Sequence, residues 1–368
     1  MAGRNGSANC WPDHSRRVTQ SDRGDPRIGN ITIANLSAEL TRSLRNMGLA
    51  GRDEEPDYVP LSGGVSSDIW RADLRRGSVC VKRALPKLRV QMDWSAPVER
   101  NQSEIAWFRA VEKIIPHAIP KLLGTDAALG LFVMEYLPPE SYRLWRTELS
   151  AGRANPTIAT QVGSLIARIH AATAGRADIA AVFATDYIFR AIRLEPYFEV
   201  TARKHPDLTE QLHRIMNTTA ATKLALIHGD VSPKNILVGP LGPVLLDAEC
   251  AWYGEPAFDL AFCLNHLLLK CLQAPKSASD FLKCFDCMVS SYSEGLTWEP
   301  PEDLEARAAA LLPALFLARI DGKSPVDYIT DAADKDRVRR VARSLIRNPP
   351  TTLAVIRRAW ARELSLDE

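Results

Sequence analysis

The chain has 368 residues, of which 46% are hydrophobic and 24% charged, and 46 basic side chains nearly balance 44 acidic ones. This composition is typical of a globular protein with a large core, and the length favours two lobes or domains. The net charge of +2 gives no basis for predicting nucleic-acid binding, and no apolar run reaches the roughly 18 residues that a membrane span needs. The odd number of cysteines, mostly in apolar helical patterns, favours a reducing compartment. We therefore expect a cytoplasmic protein with neither a nucleic-acid nor a membrane partner, and the sequence leaves its oligomeric state open.

The first part of the chain shows a polar tail followed by a region rich in strands. Residues 1–30 are rich in Gly, Ser and Arg and lack the apolar stretch of a signal peptide, which predicts a disordered tail. The patterns that follow predict helices at 35–49 and 101–115 and strands at 58–61, 69–74, 78–82 and 131–137. Pro138-Pro139 ends the last of these strands, so we predict a β-rich lobe over residues 31–137.

The rest of the chain is mostly helical. Apolar residues recur at helical spacing over 158–169, and further helices are predicted at 256–272, 278–294, 302–320, 335–346 and 351–364. Two short apolar runs, 236–238 and 243–247, interrupt this pattern and are joined by Gly239-Pro240-Leu241-Gly242, which predicts a hairpin. We predict a second, mainly helical lobe over residues 138–368.

The stretch "HGDVSPKN", residues 228–235, lies just before this hairpin. Two strands joined by a tight turn bring their outer ends together, so Asn235 and Asp247 should lie close to each other, with Asp230 nearby and Glu249 beyond. Carboxylate and amide oxygens are ligands for a hard cation such as Mg²⁺. A metal, a proton acceptor and a lysine on the phosphates are the parts that phosphoryl transfer needs.

The predicted β-rich lobe offers the remaining parts. Lys82 ends a predicted strand and can supply the cation, and Glu104, early in the following helix, can pair with it. The turn at residues 62–67 contains Gly63, Gly64, Ser66 and Ser67, whose backbone N–H groups could cover a phosphate. The sequence therefore indicates a nucleotide site.

These residues carry a family resemblance. "HGDVSPKN" together with "LLDAE" resembles the aminoglycoside phosphotransferase and choline kinase superfamily, and the ordered parts match across residues 55–265. The resemblance implies an α+β, two-lobed, protein-kinase-like fold, with a small β-rich N-lobe and a larger, mainly helical C-lobe. It implies that Asp230 is the catalytic base, that Asn235 and Asp247 bind Mg²⁺, and that Glu249 is a second metal contact. It further implies that Lys82 contacts the α- and β-phosphates of ATP and that "VMEYL" is the hinge, where the main chain of Glu135 and Leu137 holds adenine beside Met134.

Two stretches resemble one branch of this superfamily, the methylthioribose kinases. They are Lys82 to Glu104, with its Leu-Pro and Trp, and Asp247 to Phe262, "DAECAWYGEPAFDLAF". The chain departs from that branch at Ala248, which replaces a proline, and at Asn235, which replaces a serine. Where those kinases have two adjacent arginines near the sugar, this chain has Arg319, with Lys323 four residues on.

The sequence therefore predicts a small-molecule kinase that transfers the γ-phosphate of ATP to a hydroxyl, and it favours a sugar-type acceptor like that of the methylthioribose kinases. From Cys271 to Glu368 there are 15 acidic and 14 basic residues, which disfavours a dedicated site for a polycation such as an aminoglycoside. An aminoglycoside or choline-like acceptor stays the alternative. An ATP-binding pseudokinase is the alternative of another class, and the presence of Asp230, Asn235, Asp247 and Lys82 counts against it.

Overall fold

The computed structural model describes residues 33–61, 67–85, 97 and 99–366, with side chains from residue 36 onward. The chain divides into two compact units. One unit comprises the described residues up to Asn101 together with Pro120–Glu140, and the other comprises Gln102–Ile119 with the described residues from Ser141 onward. The predicted tail, residues 1–30, lies outside the described residues.

The first unit is built on an antiparallel sheet of five strands. Its strands are β1 (Asp57–Pro60), β2 (Ser67–Leu74), β3 (Gly77–Ala84), β4 (Leu122–Asp126) and β5 (Leu131–Glu135), in the order β1-β2-β3-β5-β4. Sequence reasoning predicted four of them. It did not predict β4, because "LLGTD" is short and contains a glycine, which weakens the strand pattern.

One helix covers a face of this sheet. Apolar side chains of α1 (Ile33–Asn46), including Leu40 and Leu44, pack on Val79, Val81 and Val133 of the sheet. Burial of such a stripe is the main term that holds an amphipathic helix in place. This packing holds α1 against the middle strand β3. Lys82 lies on that strand, opposite Ile69 and Phe132.

The second unit is mainly helical. In chain order its α-helices are α2 (Arg100–Glu112, which begins at the boundary of the first unit), α3 (Trp145–Ser150), α4 (Pro156–Thr173), α5 (Ala177–Val182), α6 (Asp186–Phe189), α7 (Val200–Lys204), α8 (Thr209–Ala221), α9 (Pro256–Gln273), α10 (Ala278–Glu294), α11 (Pro301–Asp321), α12 (Ala332–Arg347) and α13 (Leu353–Glu363). Helix α9 is buried along nearly its whole length. Such a helix is apolar on almost every side because other helices surround it.

A π-helix, Arg190–Glu199, lies between α6 and α7. Pro196 is inside it, and Ile192, Arg193, Tyr197 and Phe198 are buried. A π-helix shifts the side-chain spacing from the usual 3.6 residues per turn and is frequent at functional sites. Sequence reasoning predicted no element here.

Short strands carry the segment that sequence reasoning placed at the site. β7 (Ala225–Ile227) pairs with β10 (Trp252–Gly254), while β8 (Ile236–Gly239) and β9 (Gly242–Leu245) form the predicted hairpin beside β6 (Arg143–Leu144). Within the described part of the chain, no helix combines the length and apolarity needed to cross a membrane.

Candidate active site

The loop at residues 228–235 is fixed by a buried carboxylate. The two oxygens of Asp259, in the first turn of α9, accept the backbone N–H groups of His228 at 2.7 Å and Gly229 at 2.8 Å. Gly229 has φ +74°, and a Cβ on it would lie 2.6 Å from the carbonyl oxygen of Cys250. Only glycine therefore fits this turn, and the turn directs the chain into Asp230.

Asp230 is almost wholly buried and lies between two cations. Its carboxylate is 2.9 Å from the guanidinium of Arg193 and 3.1 Å from the ammonium of Lys234. Burial alone raises the pKa of a carboxyl group, but the charge of Arg193 and then that of Lys234 outweigh it, so the pKa of Asp230 lies below its ordinary value. Asp230 is therefore a charged carboxylate at neutral pH, able to accept a hydrogen bond from a hydroxyl.

Arg193 is held by several contacts. It donates to the carbonyl oxygen of Gly229 at 2.5 Å and to that of Ile192 at 2.7 Å, and its guanidinium lies over the rings of Tyr197 and Phe262. Burial works against its charge, but Asp230 more than offsets it, so the pKa of Arg193 is raised. Arg193 stays charged and fixes both the backbone and the carboxylate of the loop.

His228 has the contacts of a structural residue. Its Nδ1 accepts the backbone N–H of Asp230 at 3.2 Å, which places the proton on Nε2, where it is donated to the carbonyl oxygen of Leu246 at 3.0 Å. Trp107 packs edge-on against the ring, with centroids 4.9 Å apart. Burial lowers the pKa of His228, so the ring is neutral and ties the loop to the β9 side of the hairpin.

The hairpin brings Asn235 and Asp247 to the same end. Ile236 lies opposite Leu245, and the backbone N–H of Leu246 donates to the carbonyl oxygen of Asn235 at 2.9 Å. The side-chain nitrogen of Asn235 donates to the carbonyl oxygen of Asp230 at 3.1 Å, which leaves the amide oxygen as the atom suited to a metal. Asp247 adopts φ +64°, a conformation that costs a non-glycine residue about 1 kcal/mol and is frequent at functional sites.

The donor set fits a metal shared with a second ligand. Among the described residues, no group of three or more His, Cys, Asp or Glu side chains could hold a metal alone. Mg²⁺ is commonly bound by one or two protein oxygens and the phosphates of a nucleotide, and the oxygens of Asn235 and Asp247 suit that role. Glu249 is buried two residues beyond Asp247.

The first unit holds the residues predicted to bind nucleotide. Lys82 is buried on β3, and Ser67, at the start of β2, is buried as well. Gly63, Gly64 and Ser66 lie outside the described residues. Met134 and Glu135 are the last residues of β5, and Leu137 lies two residues beyond its end. The backbone N–H of Glu135 donates to the carbonyl oxygen of Lys121, and the carbonyl group of Glu135 is part of the predicted hinge.

Glu104 is buried on α2, in the second unit. Lys82 belongs to the first unit. The pairing of Glu104 with Lys82 stays a prediction.

The predicted acceptor residues lie at the end of α11. One nitrogen of Arg319 donates to the hydroxyl of Tyr197 at 3.1 Å and also to the backbone carbonyl of Ser324. The backbone N–H of Lys323 donates to the carbonyl oxygen of Pro196 at 2.9 Å, next to the π-helix. Through Tyr197, Arg319 belongs to the same cluster of side chains as Arg193 and Asp230.

Sequence reasoning did not identify two residues at the site. Arg193 is 37 residues upstream of Asp230 in "FRAIRLEPYF", which matches no motif, so its role could not be inferred from spacing. Lys234 could have been found, because it lies four residues after Asp230 inside the loop itself, and a short loop keeps such neighbours within reach of each other.

Comparison with known proteins gives the class of protein. The family model described as "Phosphotransferase enzyme family" matches residues 57–270, more than half of the chain. The chain belongs to this family. The predicted superfamily is thereby confirmed, and membership supports the predicted class of enzyme, a small-molecule kinase.

Solved structures support the fold. The chain is similar to an ethanolamine kinase from Plasmodium vivax, with a TM-score of 0.53 and 11% identity over 89% of this chain and 91% of that one. It is also similar to an amicoumacin kinase, with a TM-score of 0.52 and 14% identity over 88% of this chain and 98% of that one. These likenesses concern the fold, and the predicted α+β, protein-kinase-like class is confirmed.

Curated relatives are methylthioribose kinases, as the local resemblance predicted. The chain is 25% identical to the enzyme of Escherichia coli over 269 residues, which cover 65% of this chain and 63% of that one. It is 29% identical to the enzyme of Erwinia tasmaniensis over 280 residues, covering 66% and 69%. With the first of the Oryza sativa enzymes the match covers 52% of this chain and 51% of the relative. The chain thus spans between about half and two thirds of the relatives' length.

Proposed function

We propose that this protein is an ATP-dependent kinase that transfers the γ-phosphate to a hydroxyl group of a small, sugar-type acceptor. One observation carries the proposal: a buried, charged carboxylate, Asp230, lies between two cations and directly beside the hairpin that joins Asn235 to Asp247. Family membership and the similarity to methylthioribose kinases support it.

Asp230 orients the acceptor hydroxyl and takes its proton. The oxygen of that hydroxyl forms a bond to the γ-phosphorus, the bond from the γ-phosphorus to the bridging oxygen breaks, and ADP leaves. Arg193 and Lys234 keep Asp230 charged, so that it is ready to accept the proton. Lys234, half exposed, is also placed to approach negative charge that develops on the transferred group.

The metal and nucleotide roles follow the predicted pattern. Asn235 and Asp247 would hold Mg²⁺, with Glu249 as a further contact, and the ion would neutralise charge on the β- and γ-phosphates when bound. Lys82 would bind the α- and β-phosphates and Glu104 would position it. Ser67, with Gly63, Gly64 and Ser66, would cover the phosphates, and Met134, Glu135 and Leu137 would hold adenine.

On the acceptor side, Arg319 and Lys323 are the proposed contacts. Positively charged groups there oppose a cationic acceptor, so an aminoglycoside or a choline-like alcohol fits this surface less well than a sugar. A cytoplasmic location is part of the proposal, because ATP is the co-substrate and the six cysteines in the described ranges are free thiols.

The test is ADP release by the purified protein with MgATP over ribose-type sugars including methylthioribose, other polyols, choline-like alcohols and aminoglycosides. We expect turnover with a sugar-type acceptor and a loss of about 10²- to 10⁴-fold in kcat for Asp230→Asn, with ATP binding retained. Asp280→Asn, an exposed position on α10, is the matched control and should behave as the unaltered protein. Undiminished turnover in Asp230→Asn would remove Asp230 as the base. ATP binding without turnover on any acceptor would favour the pseudokinase alternative.

A further inference from the structure

One face of α9 extends from the catalytic loop and carries polar groups. Phe262, His266 and Lys270 are spaced by four residues, so they share that face. Phe262 begins it beside Arg193, with the guanidinium carbon 5.5 Å from the ring centroid. Its ring is 5.6 Å from that of His266. The face therefore leads from the partner of Asp230 to two titratable groups for which phosphate transfer as described has no use.

Arg319 reaches the same face from α11. Its guanidinium lies 5.9 Å from the ring centroid of Tyr197, and Arg193 lies 5.8 Å from the same ring. The two arginines differ in their partners, because Arg193 pairs with Asp230 whereas the side chain of Arg319, among the described residues, bonds only to Tyr197 and Ser324. The Nε of Arg319 is buried without a hydrogen-bond partner in the part of the chain that the structure describes.

His266 is 6% exposed, and its Nε2 has no partner among the described residues. Burial comes first among the causes that lower its pKa well below the ordinary value, and the charges of Arg319, Lys270 and Lys234 act in the same direction. His266 is consequently neutral, and it is surrounded by positive charge. A buried polar atom without a partner costs free energy unless a ligand or water satisfies it.

Lys270 is a buried cation with no carboxylate partner among the residues that the structure describes. It is 1% exposed, its ammonium donates to Ser150 at 2.8 Å and Gln273 at 2.5 Å, and it lies 4.2 Å from the ring centroid of Tyr328. Burial, and then the charge of Arg146, lower the pKa of Lys270 to about 7, although Asp327 opposes this. That carboxylate is bound to Arg146 at 2.7 Å, so it does not neutralise Lys270.

The charges on this face do not balance. Asp230 is paired with Arg193 and Lys234, and Asp327 is paired with Arg146. Over the described ranges, neither Arg319 nor Lys270 has a carboxylate within 4.0 Å. Burial of an unpaired charge is costly, so the buried Lys270 and the part-buried Arg319 are candidate contacts for a ligand of opposite charge.

On the basis of the proposed function, we propose that the acceptor carries an oxyanion, a carboxylate or a phosphate, which binds to Arg319, Lys270 and His266 while its hydroxyl reaches Asp230. Arg319 offers the fork of donors that matches a carboxylate or phosphate, and Lys270 supplies a compact charge. The acceptor is thus a sugar acid or a sugar phosphate, with one end neutralised by the α9 face and the other end presented to the base.

Matched acceptors test this directly. Ribose, ribonate and ribose 5-phosphate differ in the presence and kind of the oxyanion, and ADP release with MgATP gives kcat and KM for each. We expect kcat/KM for ribonate or for ribose 5-phosphate to exceed that for ribose about tenfold to a hundredfold, because charge-assisted hydrogen bonds are strong. Which of the two is preferred distinguishes a carboxylate from a phosphate.

Variants tie the preference to these residues. Arg319→Gln and Lys270→Met should raise KM for the preferred acceptor at least about tenfold and leave KM for ATP unchanged. The exposed residues Arg337 and Lys283 give the matched controls Arg337→Gln and Lys283→Met, which should change neither value. If the controls reduce the preference as much as the two test variants do, or if ribose is as good an acceptor as its acid and phosphate, the oxyanion site is refuted while the kinase proposal stands.

A binding measurement separates the two proposals. Thermal stabilisation of the protein by ribonate or ribose 5-phosphate without nucleotide reports the oxyanion site alone. Stabilisation that disappears in Arg319→Gln, with no turnover on any acceptor, supports the oxyanion site and counts against the proposed activity. If the protein shows neither thermal stabilisation nor turnover, both the oxyanion site and the proposed activity are refuted.

Discussion

Replacement of Arg193 by methionine should uncouple Asp230 from its principal cation. Methionine keeps much of the side-chain length but removes the ion pair at 2.9 Å and the hydrogen bonds to Gly229 and Ile192. Asp230 then stays buried with Lys234 as its remaining cation among the described residues. The side chain of Lys234 is 46% exposed, so solvent screens its attraction to the carboxylate more than that of the buried Arg193. The variant therefore leaves a buried charge that is poorly compensated.

The expected cost follows from that burial. Removal of one partner from a buried ion pair costs about 3–5 kcal/mol, and the remaining lysine restores about 1 kcal/mol. We expect the free energy of unfolding to fall by about 2–4 kcal/mol at pH 7. Because Arg193 lowers the pKa of Asp230, its contribution is present above the carboxyl pKa of the unfolded chain, about 3.9, and is lost as the pH falls through the lower pKa of the folded state. The difference between the two proteins should therefore shrink below about pH 4.

Urea unfolding at pH 7 and at lower pH measures this, and the pH dependence of kcat measures the catalytic consequence. The pKa of Asp230 should rise in Arg193→Met, so the acid limb of kcat should move to higher pH. Arg190→Met is the matched control, because Arg190 begins the same π-helix but is half exposed and pairs with Glu195 and Glu199. In the Asp230→Asn background, Arg193→Met should lower the free energy of unfolding by much less. An equal cost in both backgrounds, or an unmoved acid limb, would refute the coupling.

Two further variants test the loop and the α9 face. Gly229→Ala places a Cβ 2.6 Å from the carbonyl oxygen of Cys250 at φ +74°, so we expect a loss of about 2 kcal/mol or more in unfolding free energy and a fall in kcat; thermal unfolding that matches the unaltered protein would contradict the strain. Lys270→Met removes a cation whose pKa is lowered to about 7, and the penalty for its charge is full below pH 7 and vanishes as the pH rises towards its unfolded value near 10.5. The variant should be more stable than the unaltered protein by about 3 kcal/mol at pH 6, after allowance for two lost hydrogen bonds, and by much less near pH 10. A pH-independent difference in urea unfolding would show that Lys270 does not titrate in this way.

The parts of the fold that sequence reasoning reached are those with a repeating pattern. Helices α9 and α10 were predicted nearly to the residue, because their apolar positions recur over more than four turns and Pro256 marks the start of one of them. The hairpin β8–β9 was predicted because two apolar runs flank a Gly-Pro-Leu-Gly turn. Its register then follows from the turn, and so does the proximity of Asn235 and Asp247.

The electrostatic surroundings of the site could not be predicted in the same way. Arg193 approaches Asp230 because a π-helix containing Pro196 presents it, and neither the backbone type nor the direction of that side chain follows from a 3.6-residue pattern. Long-range packing decides both, whereas the motif supplies only local neighbours.

The ring of Tyr197 links the two halves of the proposed reaction. On it lie Arg193, whose charge is satisfied by Asp230, and Arg319, whose charge has no carboxylate partner in the described part of the chain. A kinase needs its base to be charged before the acceptor arrives, so the first arginine must be paired within the protein. A residue that selects the acceptor must keep its charge available to the ligand, so the second arginine must not be paired within the protein. The unequal pairing of the two arginines near one ring therefore supports the proposal that Arg193 serves the base and Arg319 binds the acceptor.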